Sequence, residues 1–421
     1  MRTAGRPPRF VFRRTEENRN SLAAVRAALE PLEGKGLLTT EVAAGPPKDL
    51  EPEDVLAYSF TTVELDAVAN EIASVTGSAH RPLLIAGGSH PSADPSGVVA
   101  LGFDAVFVGE AERTLPELAA TWCLGPDRAR VVRDPVVVDP GPPFEIDGAP
   151  HATGATGEFP FVEIVRGCPH SCAFCQVPSL HGRRPRFRSP ATAAAGVAHA
   201  VARGHRRFRF LAPDAFAYRD GADGPVEAIA RLVGACRAAG AQDVTLGTFP
   251  SEVRPDHVRA DLLEVVSREC VNRTIVVGAQ SGSDDVLRLM RRGHTVEESR
   301  RAIRLIREAG LVPHVDLMFG FPGETRADRL LTVELGREVL ASPAGRIHVH
   351  AYLPLCGTPA WPAAPEPMEP EIADAVRGLE RTGRADGHWE RQIEQGRTVL
   401  AQARAGLISA SSGTACWGGT P

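Results

Sequence analysis

The chain has 421 residues and a formal net charge of −5, with 43% hydrophobic and 24% charged residues. At ~150 residues per domain, that length predicts two or three domains with cores large enough to need no disulfides. The acidic balance excludes a generally basic nucleic-acid coat, and no stretch approaches the ~18 consecutive apolar residues of a membrane helix. The amino-terminal residues hold Arg, Pro and Glu and lack the apolar run of a secretory signal. A cytoplasmic protein without membrane partners is expected, and in a reducing compartment the eight cysteines are thiols or metal ligands before they are disulfides.

Residues 1–125 alternate short apolar runs with helical patterns, which predicts a doubly wound parallel α/β sheet. Its strands are expected at Arg9–Arg14, Leu38–Ala43, Asp54–Phe60, Pro82–Gly87 and Asp104–Gly109. Helical stretches are expected at 17–32, 64–76, 93–101 and 115–122. Residues 126–160 are rich in Pro and Gly and contain one extended run, Arg130–Asp139, so they read as a linker and domain boundary. The alternation restarts at Phe161. Strands are predicted at Phe161–Arg166, Arg207–Ala212, Asp243–Phe249, Thr274–Gln280, Val312–Phe319 and Arg346–Leu353. Thr295 and Glu298 predict a capping box opening a helix over 296–309, with Gly310 as its stop. Ser189-Pro190 reads as an N-cap and first helical position. Six strand–helix units over 161–353 fall short of the eight in a full barrel, which predicts a partial, open (β/α)6 barrel. Residues 354–421 read as a carboxyl-terminal extension, with a polar helix near 373–405 and a loose tail.

The strongest chemical signal is Arg166-Gly167-Cys168-Pro169-His170-Ser171-Cys172-Ala173-Phe174-Cys175. The spacing C-x3-C-x2-C arises by chance in a chain of this cysteine content at a rate of roughly 0.003. It directly follows a predicted barrel strand, where catalytic groups belong. Thiolates select soft metals, so zinc and iron–sulfur are the two readings. Structural zinc wants four ligands, usually in two separated pairs. Here there is one triplet, and neither His170 nor His181 stands at a usual zinc-finger spacing. Ligand count and softness favour an iron–sulfur cubane with one iron left open.

This segment resembles the signature of the radical S-adenosylmethionine superfamily, including the aromatic Phe174 before the third cysteine. The resemblance implies that Cys168, Cys172 and Cys175 hold a 4Fe–4S cluster. It also implies that the open iron chelates S-adenosylmethionine, and that an electron cleaves it to methionine and a 5′-deoxyadenosyl radical. A reductant such as ferredoxin or flavodoxin is implied as partner. Gln280-Ser281-Gly282-Ser283 with Met290-Arg291-Arg292-Gly293, and Asp316-Leu317-Met318-Phe319-Gly320-Phe321-Pro322-Gly323-Glu324-Thr325, are similar to segments of the methylthiotransferase-like branch. Asp214, Ser251, Glu252, Gln280 and Ser281 follow predicted strands and are expected cofactor contacts together with Phe174. Helix or turn capping is the competing role for Asp214, Ser251 and Ser281. Cys356, just past the last predicted strand, is a candidate catalytic thiol, with a small buried residue as the alternative.

In the first domain, Ile85-Ala86-Gly87-Gly88-Ser89-His90-Pro91 and Phe103-Asp104-Ala105-Val106-Phe107-Val108-Gly109-Glu110 resemble the cobalamin-binding-type domain that precedes many such barrels. The usual corrinoid loop carries Asp-x-His-x-x-Gly. Here the corresponding loop reads Thr15-Glu16-Glu17-Asn18-Arg19-Asn20-Ser21, so lower-axial histidine ligation is not expected and cobalamin would bind without it. His90 reads as a turn histidine before it reads as a ligand. The domain order favours a radical enzyme, with methyl transfer if cobalamin binds. Methylthiolation of tRNA or protein and a non-catalytic iron–sulfur or zinc module are the alternatives. The basic run His181–Arg188 reads as a solvated face that leaves a nucleic-acid substrate open.

Overall fold

The computed structural model describes residues 6–47, 49–77, 81–124, 134–148 and 161–409, and the chain divides into two compact units. One comprises residues 1–160 with 179–181 and 401–421; the other comprises 161–178 and 182–400. The predicted tail from 410 onward, with Cys416, lies outside the described residues.

The first unit contains β1 (Arg9–Arg13), α1 (Arg19–Glu33), β2 (Thr39–Ala43), β3 (Val55–Ser59), α2 (Leu65–Thr76), β4 (Leu83–Gly87), α3 (Ser89–Ala93), α4 (Pro95–Ala100), β5 (Ala105–Phe107), α5 (Thr114–Leu124) and β6 (Val136–Val138). All its strand pairs are parallel, in the order β2-β1-β3-β4-β5-β6. The strand order reverses beside β1, as in other doubly wound sheets that bind ligands beyond their carboxyl ends. The apolar runs of the central strands are buried on both faces, with Phe10, Phe12, Val55, Ala57, Leu83 and Ile85 in one core with Leu22, Leu29 and Trp122 from the helices. The helix expected at 93–101 is α4, opened by Asp94, whose side chain accepts from Gly97 N, and the short helix α3 precedes it. The extended run of the linker forms a strand, and this strand joins the sheet as β6.

Asp54 organises the amino-terminal edge of the sheet. Its buried carboxylate accepts from Arg6 (2.7 and 2.9 Å), from Arg9 N (3.0 Å) and from Glu51 N (3.0 Å). Burial pushes this carboxyl up, but the Arg6 pair and the backbone donors outweigh it and hold the group well below the usual carboxylate range. Asp54→Asn is expected to cost about 2–3 kcal/mol at pH 7. A depressed acid stabilises fully above its unfolded pKa of about 3.9 and loses that contribution as pH falls through the folded value. Urea unfolding should therefore show a wild-type advantage that shrinks below pH 4; an advantage constant with pH would refute the charge argument.

The second unit is an open parallel barrel. Its elements are β7 (Val162–Glu163), β8 (Val165–Arg166), α6 (Val177–His181), β9 (Arg186–Phe187), α7 (Pro190–Val201), β10 (Arg207–Leu211), α8 (Pro225–Ala238), β11 (Asp243–Thr245), α9 (Ala260–Glu269), β12 (Thr274–Gln280), α10 (Asp284–Leu289), α11 (Val296–Glu308), β13 (Val312–Phe319), α12 (Arg326–Leu340), β14 (Arg346–Ala351), α13 (Pro370–Glu380), β15 (Ala385–Gly387) and α14 (Trp389–Arg404). The sheets β11-β10-β7 and β12-β13-β14-β15 are both parallel, and the bridge Val253↔Val277 joins them. The Thr295/Glu298 capping box forms, Ser189 caps α7, and Gly310 follows α11 with φ 73°. Alternation on β13 and β14 buries Val315, Leu317, Phe319, Ile347, Val349 and Ala351 in a core shared with helix residues Val333, Leu335, Ile372 and Val376. Residues between them face the opposite way, into the barrel.

Three predictions for this unit are corrected. The strand at Phe161–Arg166 is split at Ile164. Val162–Glu163 pairs with β10, and Val165–Arg166 turns to pair antiparallel with Arg186–Phe187. The strand at Asp243–Phe249 ends at Thr245, and isolated bridges at Ser251 and Val253 carry the pairing onward. The single helix at 373–405 is α13, β15 and α14. Its middle adds a seventh strand beside β14, where a Cβ on Gly387 would meet Val349 O at 2.1 Å. Helical periodicity alone carries no sign of that close approach.

Candidate active site

The antiparallel pair β8–β9 pins both ends of the cysteine loop. Cys168 N donates to Gly182 O (3.2 Å), and Arg188 N donates to Ile164 O (3.0 Å). The middle of the loop is clamped twice: Ala173 N donates to Met290 O (2.8 Å) and accepts at its carbonyl from Ala360 N (2.8 Å). Beneath it lies an apolar pad of Val286, Met290, Met318, Phe321 and Tyr352, with Ala173 buried in it and Phe174 packed against it. Backbone bonds and this pad hold the cysteine loop in place. Cys172 is buried, whereas Cys168 and Cys175 are half-buried.

The thiols share one electrostatic environment. Burial pushes Cys175 up to about 12, and Cys172 and Cys168 add to that rise. Cys168 is also raised, first by burial and then by Cys172 and Asp214, against a backbone donor at His170. Metal entry therefore displaces protons from these sulfurs. Arg292 reaches in from beyond α10. Its Nη1 donates to Cys172 Sγ (3.3 Å), its Nη2 donates to Gly278 O (2.6 Å), and its guanidinium lies 5.9 Å from the Phe174 ring centroid. Arg292 thus brings a positive charge to the cysteine loop, where it can offset the charge of an anionic cluster.

Each expected cofactor contact has a definite place. Asp214 is buried next to the loop. It accepts from Phe216 N (3.3 Å) and pairs with His257 Nδ1 at 2.5 Å, a bond that raises the His257 pKa. Its capping role is thus realised. Ser251 is fully buried and donates to Thr248 O (3.4 Å). Ser281 is also fully buried, with its hydroxyl 3.1 Å from Thr332 Oγ1 and from Ser283 N. Gln280 differs: it closes β12 with φ 70°, and its buried Oε1 has no hydrogen-bond partner. A non-glycine residue held in that conformation, with an unsatisfied buried acceptor, is a pattern of ligand sites. Cys356 is buried, and its carbonyl accepts from Gln176 Nε2 (2.7 Å), which ties its loop to the residue after Cys175.

Sequence reasoning passed over Arg292 and Asp316 as site residues, whereas Glu252 is among the contacts it expects at strand ends. Arg292 stood in a quoted motif, but nothing local connects it to a cysteine 120 residues away. Glu252 is exposed by surface area, yet burial raises its pKa against the pull of Arg292 and His348. Both facts hold for a carboxyl projecting into a hollow interior. Asp316 is raised well above the ordinary carboxylate range, by burial first and then by Glu252. Gly278 leaves the room for these groups, since a Cβ there would lie 3.1 Å from Arg292 Nη2, 3.1 Å from Gln280 Nε2 and 3.2 Å from Glu252 Oε2. Gly278→Val should displace all three. About 1–3 kcal/mol of stability is expected to go, and cofactor affinity measured by equilibrium dialysis should fall more than melting temperature predicts. The run His181–Arg188 is corrected too: Arg183 and Arg184 are exposed, but Arg186 and Arg188 are buried.

In the first unit, the loop after β1 is closed by Asn18. Its Oδ1 accepts from Thr15 N (2.8 Å), and its Nδ2 donates to Arg13 O (2.8 Å) and Ser59 O (2.9 Å). No histidine is there to serve as an axial ligand. His90 is buried, packs on Phe60, and lies 3.2 Å from Thr62 Oγ1; burial lowers its pKa to about 4.

The chain carries a doubly wound sheet and a partial parallel barrel with three cysteines beyond the barrel's first strand. Residues 162–336 match the Radical SAM superfamily, and the chain contains a radical SAM domain. An uncharacterized protein of Methanopyrus kandleri is 29% identical over 355 residues, covering 69% of this chain and 66% of its own. A tRNA-2-methylthio-N(6)-dimethylallyladenosine synthase of Prosthecochloris aestuarii is 37% identical over 182 residues, covering 42% of this chain and 40% of its own. The chain thus spans less than two thirds of these relatives. Among solved structures, the radical S-adenosylmethionine methyltransferase TsrM of Kitasatospora setae, with tryptophan and a SAM analog bound, superposes with a TM-score of 0.60 at 19% identity, covering 89% of this chain and 77% of that one. The cobalamin-dependent radical enzyme OxsB with aqua-cobalamin bound gives 0.61 at 13% identity, covering 96% and 62%. At these identities the likeness is one of fold. Among the described residues, no helix is long and apolar enough to cross a membrane.

Proposed function

We propose that this protein is a radical S-adenosylmethionine enzyme that carries out cobalamin-linked methyl transfer. The cysteine loop carries this reading: three clamped thiols at the carboxyl end of the barrel's first strand, with Arg292 on the central one. When bound there, a 4Fe–4S cluster supplies the electron that splits the sulfonium of S-adenosylmethionine. Cys168, Cys172 and Cys175 hold the metal, Arg292 balances its charge, and Phe174 with its apolar pad keeps water from that side. Gln280 Oε1 offers an acceptor to an amino or hydroxyl donor of the bound cofactor. Asp214 positions His257 and the loop after β10. Cys356, whose carbonyl ties its loop to Gln176, is a candidate thiol for the reaction.

Residues 1–125 take the corrinoid-binding role, supported by the sheet order and by the fold likeness to enzymes crystallised with cobalamin. The loop after β1 has no histidine, so a corrinoid would be held there without a histidine donor from that loop. A low-potential reductant such as ferredoxin or flavodoxin supplies the electron.

The test is anaerobic reconstitution followed by dithionite and S-adenosylmethionine. Release of 5′-deoxyadenosine or S-adenosylhomocysteine supports the reading, and absence of any cofactor turnover overturns it. Failure to retain a corrinoid removes the methyl-transfer part. A second reading, methylthiolation, is favoured by the identity to the tRNA synthase. About eight irons per chain would support it and about four would oppose it. The first 160 residues contain a single cysteine, Cys123, for a second cluster.

A further inference from the structure

The barrel's inner wall carries a second donor cluster, away from the cysteine loop. Strand pairing sets His348 beside both Asp316 and Asp386 on neighbouring strands. On β13 and β14 the outward residues are apolar and packed against helices. His314 and His348 therefore point inward, and Asp386 joins them from β15, whose Ala385 packs on the outer core. Ligand atoms of His314, His348 and Asp386 all lie within 4.8 Å of one another.

The two imidazoles converge on one oxygen. His348 Nδ1 hydrogen-bonds to Asp386 Oδ1, and His314 Nε2 stands 3.7 Å from that same atom. The other carboxylate oxygen faces Arg346, whose Nη2 is 3.6 Å from Oδ2. A hydrogen-bonded His–Asp pair explains His348 and Asp386 but not His314, whose Nε2 is buried and has no hydrogen-bond partner. A cation shared by all three accounts for the whole arrangement, with Arg346 orienting the carboxylate from behind.

We propose that His314 Nε2, His348 Nδ1 and Asp386 Oδ1 form a binding site for a single divalent transition-metal ion. Two imidazoles and a carboxylate select ions of borderline softness, zinc or ferrous iron, over magnesium or calcium. Three protein ligands on adjacent strands leave further positions open toward the barrel interior, where a water or a donor atom of the substrate can bind. Entry of the ion replaces the Nδ1–H···O bond: the proton on Nδ1 moves to Nε2 through solvent, and the freed lone pair takes the metal. This site does not depend on the reaction proposed above.

The test uses the full chain with its iron–sulfur cluster reconstituted, and Zn2+ as the probe. Equilibrium dialysis with elemental analysis should find one zinc per chain in addition to iron. His314→Ala and Asp386→Ala should each weaken zinc binding at least about tenfold, with iron, sulfide and circular dichroism unchanged. X-ray absorption at the zinc edge on the unaltered protein should show a shell of nitrogen and oxygen only, which needs no variant to fold. No zinc uptake, a shell containing sulfur, or undiminished zinc binding in both variants would overturn the proposal.

Discussion

Replacing any one of Cys168, Cys172 or Cys175 by alanine is expected to abolish cluster assembly, taking iron from about four per chain to below one after reconstitution. The loop itself should survive the change. Its position depends on backbone bonds from Cys168 N, Ala173 N and Ala360 N and on the pad under Phe174, none of which uses a cysteine sulfur. Far-UV circular dichroism should therefore be unchanged while the broad charge-transfer absorbance of the cluster disappears. Serine should not rescue, because a hydroxyl is a harder and far weaker acid than a thiol. Reductive cleavage of S-adenosylmethionine should vanish in parallel. A variant with two of the thiols that still assembled a cluster and cleaved the cofactor would sink the coordination argument.

Arg292→Met is expected to leave assembly intact and to make the cluster harder to reduce. Arg292 is buried and spends one guanidinium nitrogen on Cys172 Sγ and another on Gly278 O. Its charge stabilises the more negative, reduced cluster more than the oxidised one. If that difference is about 1–2 kcal/mol, the midpoint should fall by about 40–90 mV in a one-electron couple. Removing the donor to Gly278 O also leaves a buried carbonyl unsatisfied, at a cost of about 1–3 kcal/mol. Arg292→Lys separates the two effects. It keeps the charge near the sulfur but cannot serve both acceptors from a planar fork, so the potential should recover further than the melting temperature. Protein-film voltammetry and thermal unfolding read the two quantities independently. An unchanged potential in Arg292→Met would show that the guanidinium does not sense the metal.

The parts of this protein readable from its residues are those encoded over short spans. Strands β12 and β13 fall at the expected bounds because their apolar runs are bordered by residues unsuited to a sheet. The Thr295/Glu298 box opens α11 because capping involves neighbours three apart. The cysteine triplet is legible for the same reason: its members are seven residues apart at most, on one loop. The errors have a common origin. Val165 leaves the line of β7 because Arg186–Phe187 returns to pair with it, and β15 interrupts a helical pattern because β14 offers it an edge. Pattern reading sees the residue and its near neighbours, whereas an edge strand is chosen by what lies across the sheet.

The residues alone thus determined an open α/β barrel, a parallel sheet before it and a three-cysteine loop at the first barrel strand. Tertiary packing decided which charges face that loop and which donors meet inside the barrel. Arg292 reaches Cys172, and His314 and His348 meet Asp386, only once parallel register brings distant strands side by side. A side chain's partner across such distances is set by the shared geometry of the sheet, for which no single segment of the chain carries the instructions.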